Sequence, residues 1–143
     1  AKLIINRSVS VCAPAAADGV HLGQGHTDPK EARRILGGNA IIGVTAKTVE
    51  QAQRAETDGA DYLGSGAVFG TSTKADAVKM DIETLREIVS SVSIPVYAIG
   101  GINAENISQL RGSGIYGAAV VSGIFKGDIE KNAARLKEEV ELL

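Results

Sequence analysis

Short apolar stretches recur along the whole chain and alternate with segments of helical period. These stretches lie at residues 3–5, 19–22, 40–45, 62–69, 96–99 and 118–121. They are rich in β-branched residues and nearly continuous, with few polar positions between the apolar ones. Such runs are typical of strands buried on both faces of a parallel sheet that helices cover. The pattern therefore predicts six buried strands.

Helix start signals stand between these strands. A helix is predicted to begin after each of five capping residues, which are Asp28, Thr48, Asp81, Asn103 and Asp128. Asp28 and Glu31 have the spacing of a capping box, and Gly37 stands where that helix should end. A further helix is predicted over residues 9–17, where Pro14 interrupts the pattern.

Strand and helix thus alternate six times over 143 residues, with no linker between them. This alternation predicts one α/β domain with right-handed crossovers and a parallel sheet, either doubly wound or closed as a barrel. In both architectures ligands bind at the carboxyl ends of the strands. The residues that follow each predicted strand are therefore the first candidates for a binding site.

Composition narrows the classes of function. Fifteen Lys and Arg stand against seventeen Asp and Glu, which argues against a generic nucleic-acid binder. Cys12 is the only cysteine, so an intrachain disulfide and four-cysteine zinc patterns are excluded. No apolar run approaches the roughly 20 residues of a membrane span. We expect a cytoplasmic protein with neither a membrane nor a nucleic-acid partner.

Glycine and serine follow the last two predicted strands. Gly100 and Gly101 come after one of them, and Ser122 and Gly123 come after the other. Backbone N–H groups exposed by glycine, together with a helix start, favour phosphate binding. The alternative is that these glycines only turn the chain.

A second candidate anion site follows the fourth predicted strand, where the chain reads Gly-Thr-Ser-Thr-Lys. The hydroxyls of Thr71 and Thr73 and the ammonium of Lys74 suit an anion, although an ordinary solvated loop has the same composition. Asn6 and Thr45 also end strands and could face the same edge. From spacing alone, each is expected to be a hydrogen-bonded structural residue.

The two histidines make a poor metal site, because no carboxylate lies near them at ligand spacing. His21 lies within an apolar strand and is expected to be a packed, hydrogen-bonded core residue. His26 is expected on a loop. Cys12 is expected to be a small apolar filler.

The chain resembles the thiamine phosphate synthase family and its thiazole tautomerase relatives. The matching stretches are residues 3–6, 17–24, 41–46, 58–66, 71–74, 94–103 and 120–125, and the Thr-x-Thr-Lys and Ile-Gly-Gly-Ile pieces together are specific. The resemblance implies a TIM (β/α)8 barrel. It also implies an enzyme of thiamine biosynthesis that joins hydroxymethylpyrimidine diphosphate to thiazole phosphate, forming thiamine phosphate and releasing pyrophosphate.

The resemblance also implies a role for each site residue. The thiazole phosphate would be held by Thr71, Thr73, Gly101, Val121 and Ser122, with Gly100 beside them. Lys74 and Asn6 would contact the pyrimidine diphosphate, and Thr45 stands where the family usually has a serine near the departing pyrophosphate. Thr45 and Lys74 are therefore the candidate catalytic residues. The implied chemistry is dissociative, so the protein's task is to stabilise the leaving group and align both rings.

The same resemblance implies a shortened barrel. The chain begins where the family's third strand lies, so the first two βα units and their diphosphate-binding cluster are absent from residues 1–143. An N-terminally incomplete barrel of about six units leaves two strands with unpaired edges. We expect either an N-terminal part supplied elsewhere or pairing with a second copy in a homo-oligomer.

The family's magnesium ligands are also replaced. The family holds Mg²⁺ with two aspartates, and those positions are Arg7 and His26 in this sequence. Mg²⁺ requires oxygen ligands in octahedral geometry, and neither side chain offers one. Either Arg7 partly replaces the metal by facing a phosphate directly, or the metal site has decayed.

Three functions stay open from the sequence. The first is thiamine phosphate synthase, and the second is a catalytically inactive remnant that binds phosphate. The third is a thiazole tautomerase-like protein, which is disfavoured because Lys47 stands where that branch relies on a histidine.

Overall fold

One parallel sheet of six strands organises residues 1–70 and 79–143, which the computed structural model describes. The strands are β1 (Ile4–Asn6), β2 (Gly19–Leu22), β3 (Ile41–Thr45), β4 (Tyr62–Gly66), β5 (Val96–Ile99) and β6 (Gly117–Ala119). Their order across the sheet is their order along the chain. A doubly wound sheet reverses its strand order, so the barrel alternative is the correct one. The six strands form a curled half-barrel.

Helices connect the strands. They are α1 (Val9–Cys12), α2 (Pro29–Leu36), α3 (Val49–Thr57), α4 (Ile82–Ser90), a 3-10 helix (Ile107–Leu110), α5 (Ser122–Phe125) and α6 (Ile129–Val140). Four of the predicted capping residues cap their helices, since each side chain accepts a hydrogen bond from an amide in the first turn. They are Asp28 at α2, Thr48 at α3, Asp81 at α4 and Asp128 at α6. The predicted capping box is wrong in its second half, because Glu31 forms an ion pair with Arg34 at 2.6 Å instead.

Several predicted bounds differ from the structure. β4 ends at Gly66 rather than at residue 69, and β6 begins one residue earlier than predicted. The helix predicted over residues 9–17 is only Val9–Cys12. The helix predicted after Asn103 is a short 3-10 helix, which ends where Arg111 leaves the helical conformation, with φ of −57° and ψ of 135°.

The hydrophobic core lies between the sheet and the helices. Val20, Ile42 and Leu63 are fully buried on one face of the sheet, which we call the helix-covered face, and they belong to the same core cluster as Leu85 and Ile88 of α4. Burying an aliphatic side chain of this size stabilises the fold by about 1.5–3 kcal/mol. Cys12 is buried in the same core, which confirms its predicted role as an apolar filler.

The opposite face of the sheet, which we call the inner face, is much less covered. Strand register places His21, Gly43 and Tyr62 in one row across this face. Thr45, Gly64, Tyr97 and Gly117 form the next row toward the carboxyl ends. The expectation that both faces are buried is therefore wrong. Glycine and polar residues alternate with the large aliphatic residues, so only the helix-covered face has a continuous apolar surface.

Candidate functional site

The predicted site residues that the structure describes lie at one edge of the sheet. Asn6 and Thr45 are the last residues of β1 and β3. Gly100 and Val121 stand just beyond β5 and β6. Carboxyl ends of parallel strands meet at a common edge, which we call the carboxyl-end rim. Thr71, Thr73 and Lys74 lie outside the described residues.

The loops after β4 and β5 are in direct contact at this rim. The amide of Phe69 donates to the carbonyl oxygen of Gly100 at 3.0 Å. Gly101 has φ of 67°, and a Cβ there would lie 2.2 Å from the carbonyl oxygen of Gly70. Only glycine permits both this conformation and this approach. The Gly100–Gly101 turn is therefore held against Gly70, the residue directly before Thr71 in the sequence.

Asn106 fixes the loop after β5. Its Nδ2 donates to the carbonyl oxygen of Gly101 at 2.9 Å, and its Oδ1 accepts from the amide of Asn103 at 2.9 Å. Sequence reasoning missed this residue. The available signal was the Asn-x-x-Asn spacing of residues 103 and 106, because short amide side chains often hydrogen-bond nearby backbone.

The loop after β6 packs against the loop after β5. A Cβ on Gly123 would lie 2.4 Å from the carbonyl oxygen of Ile102, so the two backbones approach closely. Ser122 begins α5 and is exposed. First-turn amides of a helix have no intrahelical acceptor and can donate to an anion. The rim thus combines a glycine turn and a helix start within three neighbouring loops.

A polar chain lies on the inner face just below the rim. Nε2 of His21 lies 2.9 Å from Oγ1 of Thr45, and Nδ1 lies 3.0 Å from the hydroxyl of Tyr62. His21 is hydrogen-bonded as predicted, but it is half-buried on the inner face rather than in the core. Burial raises the pKa of the Tyr62 hydroxyl, with a smaller contribution from Tyr97, so Tyr62 stays protonated and able to donate.

Aromatic rings continue this chain across the inner face. The rings of His21 and Tyr62 have centroids 5.4 Å apart, and Tyr62 meets Tyr97 edge to face at 5.5 Å. Tyr97 in turn contacts Tyr116 at 5.5 Å. Sequence reasoning missed these tyrosines, because their contacts join strands that are distant along the chain.

Asn6 and Arg7 stand at the rim beside the polar chain. Asn6 pairs with His21 in the sheet register, and the amide of Arg7 donates to the carbonyl oxygen of His21 at 2.8 Å. Arg7 has φ of 73°, which is uncommon for a residue with a side chain. Gln24 also reaches this region, where its Nε2 donates to the carbonyl oxygen of Thr45 at 2.7 Å.

The described donor set does not fit Mg²⁺. His26 lies on the loop predicted for it, and its Nδ1 accepts from the amide of Gly23 at 3.0 Å. Arg7 offers only a cation at the other position. Within residues 1–70 and 79–143, no group of three or more His, Cys, Asp or Glu side chains could hold a metal ion. Over the same ranges, every helix is too short or too polar to cross a membrane.

Comparison with known proteins gives consistent matches. The family model described as thiamine monophosphate synthase matches residues 1–124. The thiamine-phosphate synthase of Ruminiclostridium cellulolyticum is 51% identical over 95% of this chain, and that of Fusobacterium nucleatum is 46% identical over 96%. The structure of thiamine phosphate pyrophosphorylase from Pyrococcus furiosus superposes with a TM-score of 0.88 at 40% identity, over 96% of this chain and 66% of that one.

These relatives are longer than this sequence, which spans 65% of the length of the two curated proteins. The family match nevertheless extends from the start of the chain into α5. Because it covers most of the chain, and because relatives that are about 50% identical over the aligned residues agree with it, the chain belongs to the thiamine monophosphate synthase family.

Proposed function

We propose that this chain forms the thiazole phosphate side of a thiamine phosphate synthase. The observation that carries the proposal is the contact of three loops at the carboxyl-end rim, where Gly101 lies against Gly70 and Gly123 lies against Ile102. Such a turn offers backbone amides to a phosphate with no side chain in the way. The names of the curated relatives support thiamine phosphate as the product.

In the proposed reaction, the bond between the pyrimidine methylene and the diphosphate breaks, and its electrons leave with pyrophosphate. The thiazole nitrogen then donates its lone pair to the methylene carbon and forms the new C–N bond. The chain's own groups would hold the thiazole phosphate at Gly101, Val121 and Ser122. Thr45 would donate to the departing pyrophosphate. Holding the reactants in line and stabilising the leaving charge are the two sources of rate acceleration.

Thr71, Thr73, Lys74 and Asn6 complete the proposed site. The threonine hydroxyls would join the thiazole phosphate contacts. Lys74 would neutralise the leaving diphosphate, and Asn6 would donate to it from the end of β1. Cytoplasmic location and the small-molecule phosphates as partners stay predictions of the same proposal.

The proposed reaction includes no step that uses Mg²⁺, because Arg7 and His26 occupy the positions at which the family resemblance implies aspartates. Arg7 lies at the rim beside Asn6, and a guanidinium matches phosphate oxygens in a bidentate fork. Its side chain is exposed and able to turn toward an anion. The proposal is that Arg7 faces the diphosphate directly.

Full activity is proposed to require further βα units beside the sheet. In the described part of the chain, β1 and β6 each have one unpaired edge. Tyr116 and Phe125, on the β6 side of the molecule, are 71% and 68% exposed. Exposed strand edges and apolar side chains favour a covering partner. Units carried on the same polypeptide, on another chain or on a second copy would all satisfy this requirement.

A second candidate is an inactive protein that binds thiazole phosphate. The replacement of both family metal ligands by Arg7 and His26 favours it. The two candidates differ in turnover. We would mix both substrates with the chain, alone and together with the N-terminal third of a longer relative, and measure thiamine phosphate and pyrophosphate. Equal amounts of both products support the synthase, and saturable thiazole phosphate binding without product supports the inactive protein.

Binding is tested separately with a Ser122→Ala variant. A hydrogen bond to a charged group contributes about 1.5–3 kcal/mol, so the dissociation constant for thiazole phosphate should rise about tenfold or more. Ser90→Ala is the control, because that serine lies in α4 and donates to the carbonyl oxygen of Arg86. Equal affinities for the parent, Ser122→Ala and Ser90→Ala would contradict the proposed phosphate site.

A further inference from the structure

We propose that His21 and Tyr62 are positioning residues that fix the direction in which the hydroxyl of Thr45 donates. The inference rests on the proposed function for the identity of the anion that Thr45 faces. The arrangement of the three side chains, however, is a property of the free protein and is testable without any substrate.

The first step is how Tyr62 reaches His21. These residues stand on β4 and β2, with β3 between them, and strands that flank a third lie about 9–10 Å apart. Gly43 occupies the same register row on β3. A Cβ on Gly43 would lie 2.1 Å from Cζ of Tyr62, so the ring passes directly over the glycine. The absence of a side chain at Gly43 therefore makes the contact possible.

The second step is how His21 reaches Thr45. Thr45 stands two residues beyond Gly43 on β3, and Gly64 is its register partner on β4. A Cβ on Gly64 would lie 3.1 Å from Cε1 of His21. Glycine at this position leaves room for the imidazole to lie along the inner face with Nε2 directed at Oγ1 of Thr45. Two strand glycines thus accommodate one continuous chain of three polar side chains.

The third step is the direction of the hydrogen bonds. A phenol hydroxyl is a stronger donor than an aliphatic hydroxyl and a weaker acceptor, because its oxygen lone pair is delocalised into the ring. Tyr62 therefore donates to Nδ1 of His21. A neutral imidazole that accepts at one nitrogen carries its proton on the other, so Nε2–H donates to Oγ1 of Thr45. The hydroxyl hydrogen of Thr45 then remains to donate toward the rim.

The opposite arrangement would have the opposite effect on an anion. If Nε2 accepted, Thr45 would direct its hydrogen at His21 and present oxygen lone pairs to the rim, where they would repel a phosphate oxygen. Gln24 holds the backbone of Thr45 through its carbonyl oxygen, and the β-branched side chain has few rotamers. The tautomer of His21 therefore decides whether Thr45 is a donor to the anion.

The test is nitrogen NMR of the imidazoles in the free full chain, followed by titration with pyrophosphate. The chain has two histidines, so a His26→Gln variant identifies the His21 signals. We expect the Nε2–H tautomer for His21 in the parent. In Tyr62→Phe, Thr45 can donate to Nε2 instead, so the Nδ1–H tautomer should become populated and the Nδ1 resonance should move toward the value of a protonated nitrogen. Tyr97→Phe is the matched control, since it removes a neighbouring phenol from the inner face, and it should leave the His21 signals in place.

Pyrophosphate affinity gives the second readout. Tyr62→Phe should weaken binding about fivefold, the equivalent of one ordinary hydrogen bond. This effect should persist in a Thr45→Ser background, which keeps a hydroxyl, and should disappear in Thr45→Val, which has none. A residue with a merely structural role would weaken binding equally in both backgrounds.

The outcomes separate the two proposals. An Nδ1–H tautomer in the parent, a doubly protonated His21 at pH 7, or an Nδ1 resonance unmoved in Tyr62→Phe would overturn the positioning role. The expected tautomer and resonance shift in a chain that does not bind pyrophosphate would support the hydrogen-bond directions and contradict the proposed function. The expected NMR signals could also be accompanied by equal effects of Tyr62→Phe on pyrophosphate affinity in the Thr45→Ser and Thr45→Val backgrounds. That result would overturn the claim that His21 and Tyr62 act through Thr45.

Discussion

Gly43→Ala tests the packing on which the inner-face site depends. The three atoms nearest to the added Cβ all belong to Tyr62, with Cζ at 2.1 Å and Oη at 2.4 Å. Neither separation is compatible with atomic contact, so the tyrosine ring must leave its place over β3. The substitution should therefore displace Tyr62 and break its hydrogen bond to His21.

The magnitude follows from two contributions. Overpacking a well-filled site costs about 1–3 kcal/mol, and the lost hydrogen bond costs about 1 kcal/mol. The ring is half-buried and can move toward solvent, so the lower part of the first range applies. We expect the free energy of unfolding to fall by about 2 kcal/mol, which lowers the melting temperature of a domain of this size by about 8 °C.

The assay is urea and thermal unfolding of four proteins, namely the parent, Gly43→Ala, Tyr62→Ala and the double variant. Because the clash involves only the Tyr62 side chain, Gly43→Ala should cost almost nothing in the Tyr62→Ala background. Gly38→Ala is the control, since its Cβ would have no heavy atom within 4 Å. The same loss of stability from Gly43→Ala in both backgrounds would refute the packing of Tyr62 over Gly43.

Three further predictions concern other parts of the molecule. Asn106→Ala removes the hydrogen bond to the carbonyl oxygen of Gly101 and the one from the amide of Asn103, both in the loop after β5. Thiazole phosphate should therefore bind about tenfold more weakly in titration calorimetry, and an unchanged affinity would argue against a role for this loop. Arg7→Ala should weaken pyrophosphate binding about tenfold both with and without Mg²⁺, whereas the control Arg86→Ala, on α4, should leave it unchanged. Equal binding of pyrophosphate by Arg7→Ala and the parent would contradict a direct contact between Arg7 and the diphosphate. The hydroxyl and amide of Ser93 donate hydrogen bonds to Glu56 and hold the pKa of its carboxyl group below its usual range. The contribution of these bonds to the stability of the fold is complete above the ordinary glutamate pKa of about 4.3 and is lost as pH falls through the lowered pKa. Glu56→Gln should therefore destabilise the fold more at pH 7 than at pH 3 in urea unfolding, and a pH-independent difference would count against the bond.

Local signals in the sequence predicted helix starts well. Asp28, Asp81 and Asp128 cap helices where expected, because a cap depends on one side chain and the next few amides. The 3-10 helix after Asn103 was harder to predict. It ends after four residues, where Arg111 leaves the helical conformation, and arginine is not a residue type that signals a helix end.

The faces of the strands were predicted less well. The stretch from Tyr62 to Gly66 reads as continuous because glycine interrupts it without adding polarity. In the structure, Leu63 is buried against the helices while Gly64 faces His21 across the inner face. Tyr62, Gly64 and Gly66 alternate along β4 with Leu63 and Ser65, both of which are fully buried, and this period of two gives the strand two unlike faces. This alternation is hard to recognise in the sequence, because glycine does not differ from its neighbours in polarity.

The polar chain of His21 could not be predicted from spacing. Two of the residues that His21 contacts, Thr45 and Tyr62, are 24 and 41 residues away along the chain, and only the register of β2, β3 and β4 brings them to it. The strand-end residues Asn6 and Thr45 were located correctly, since the ends of parallel strands share an edge whatever their sequence separation. Thr71, Thr73 and Lys74 remain predictions from sequence.

Amide chemical-shift mapping with thiazole phosphate tests most directly whether the carboxyl-end rim is a phosphate site. On titration into the labelled chain, the amides of Gly101, Ser122 and Gly123 should shift together and saturate at one concentration. The amides of Gly37 and Gly38, which follow α2, should not move. Shifts confined to residues outside the rim, or no saturable shift at all, would contradict the account.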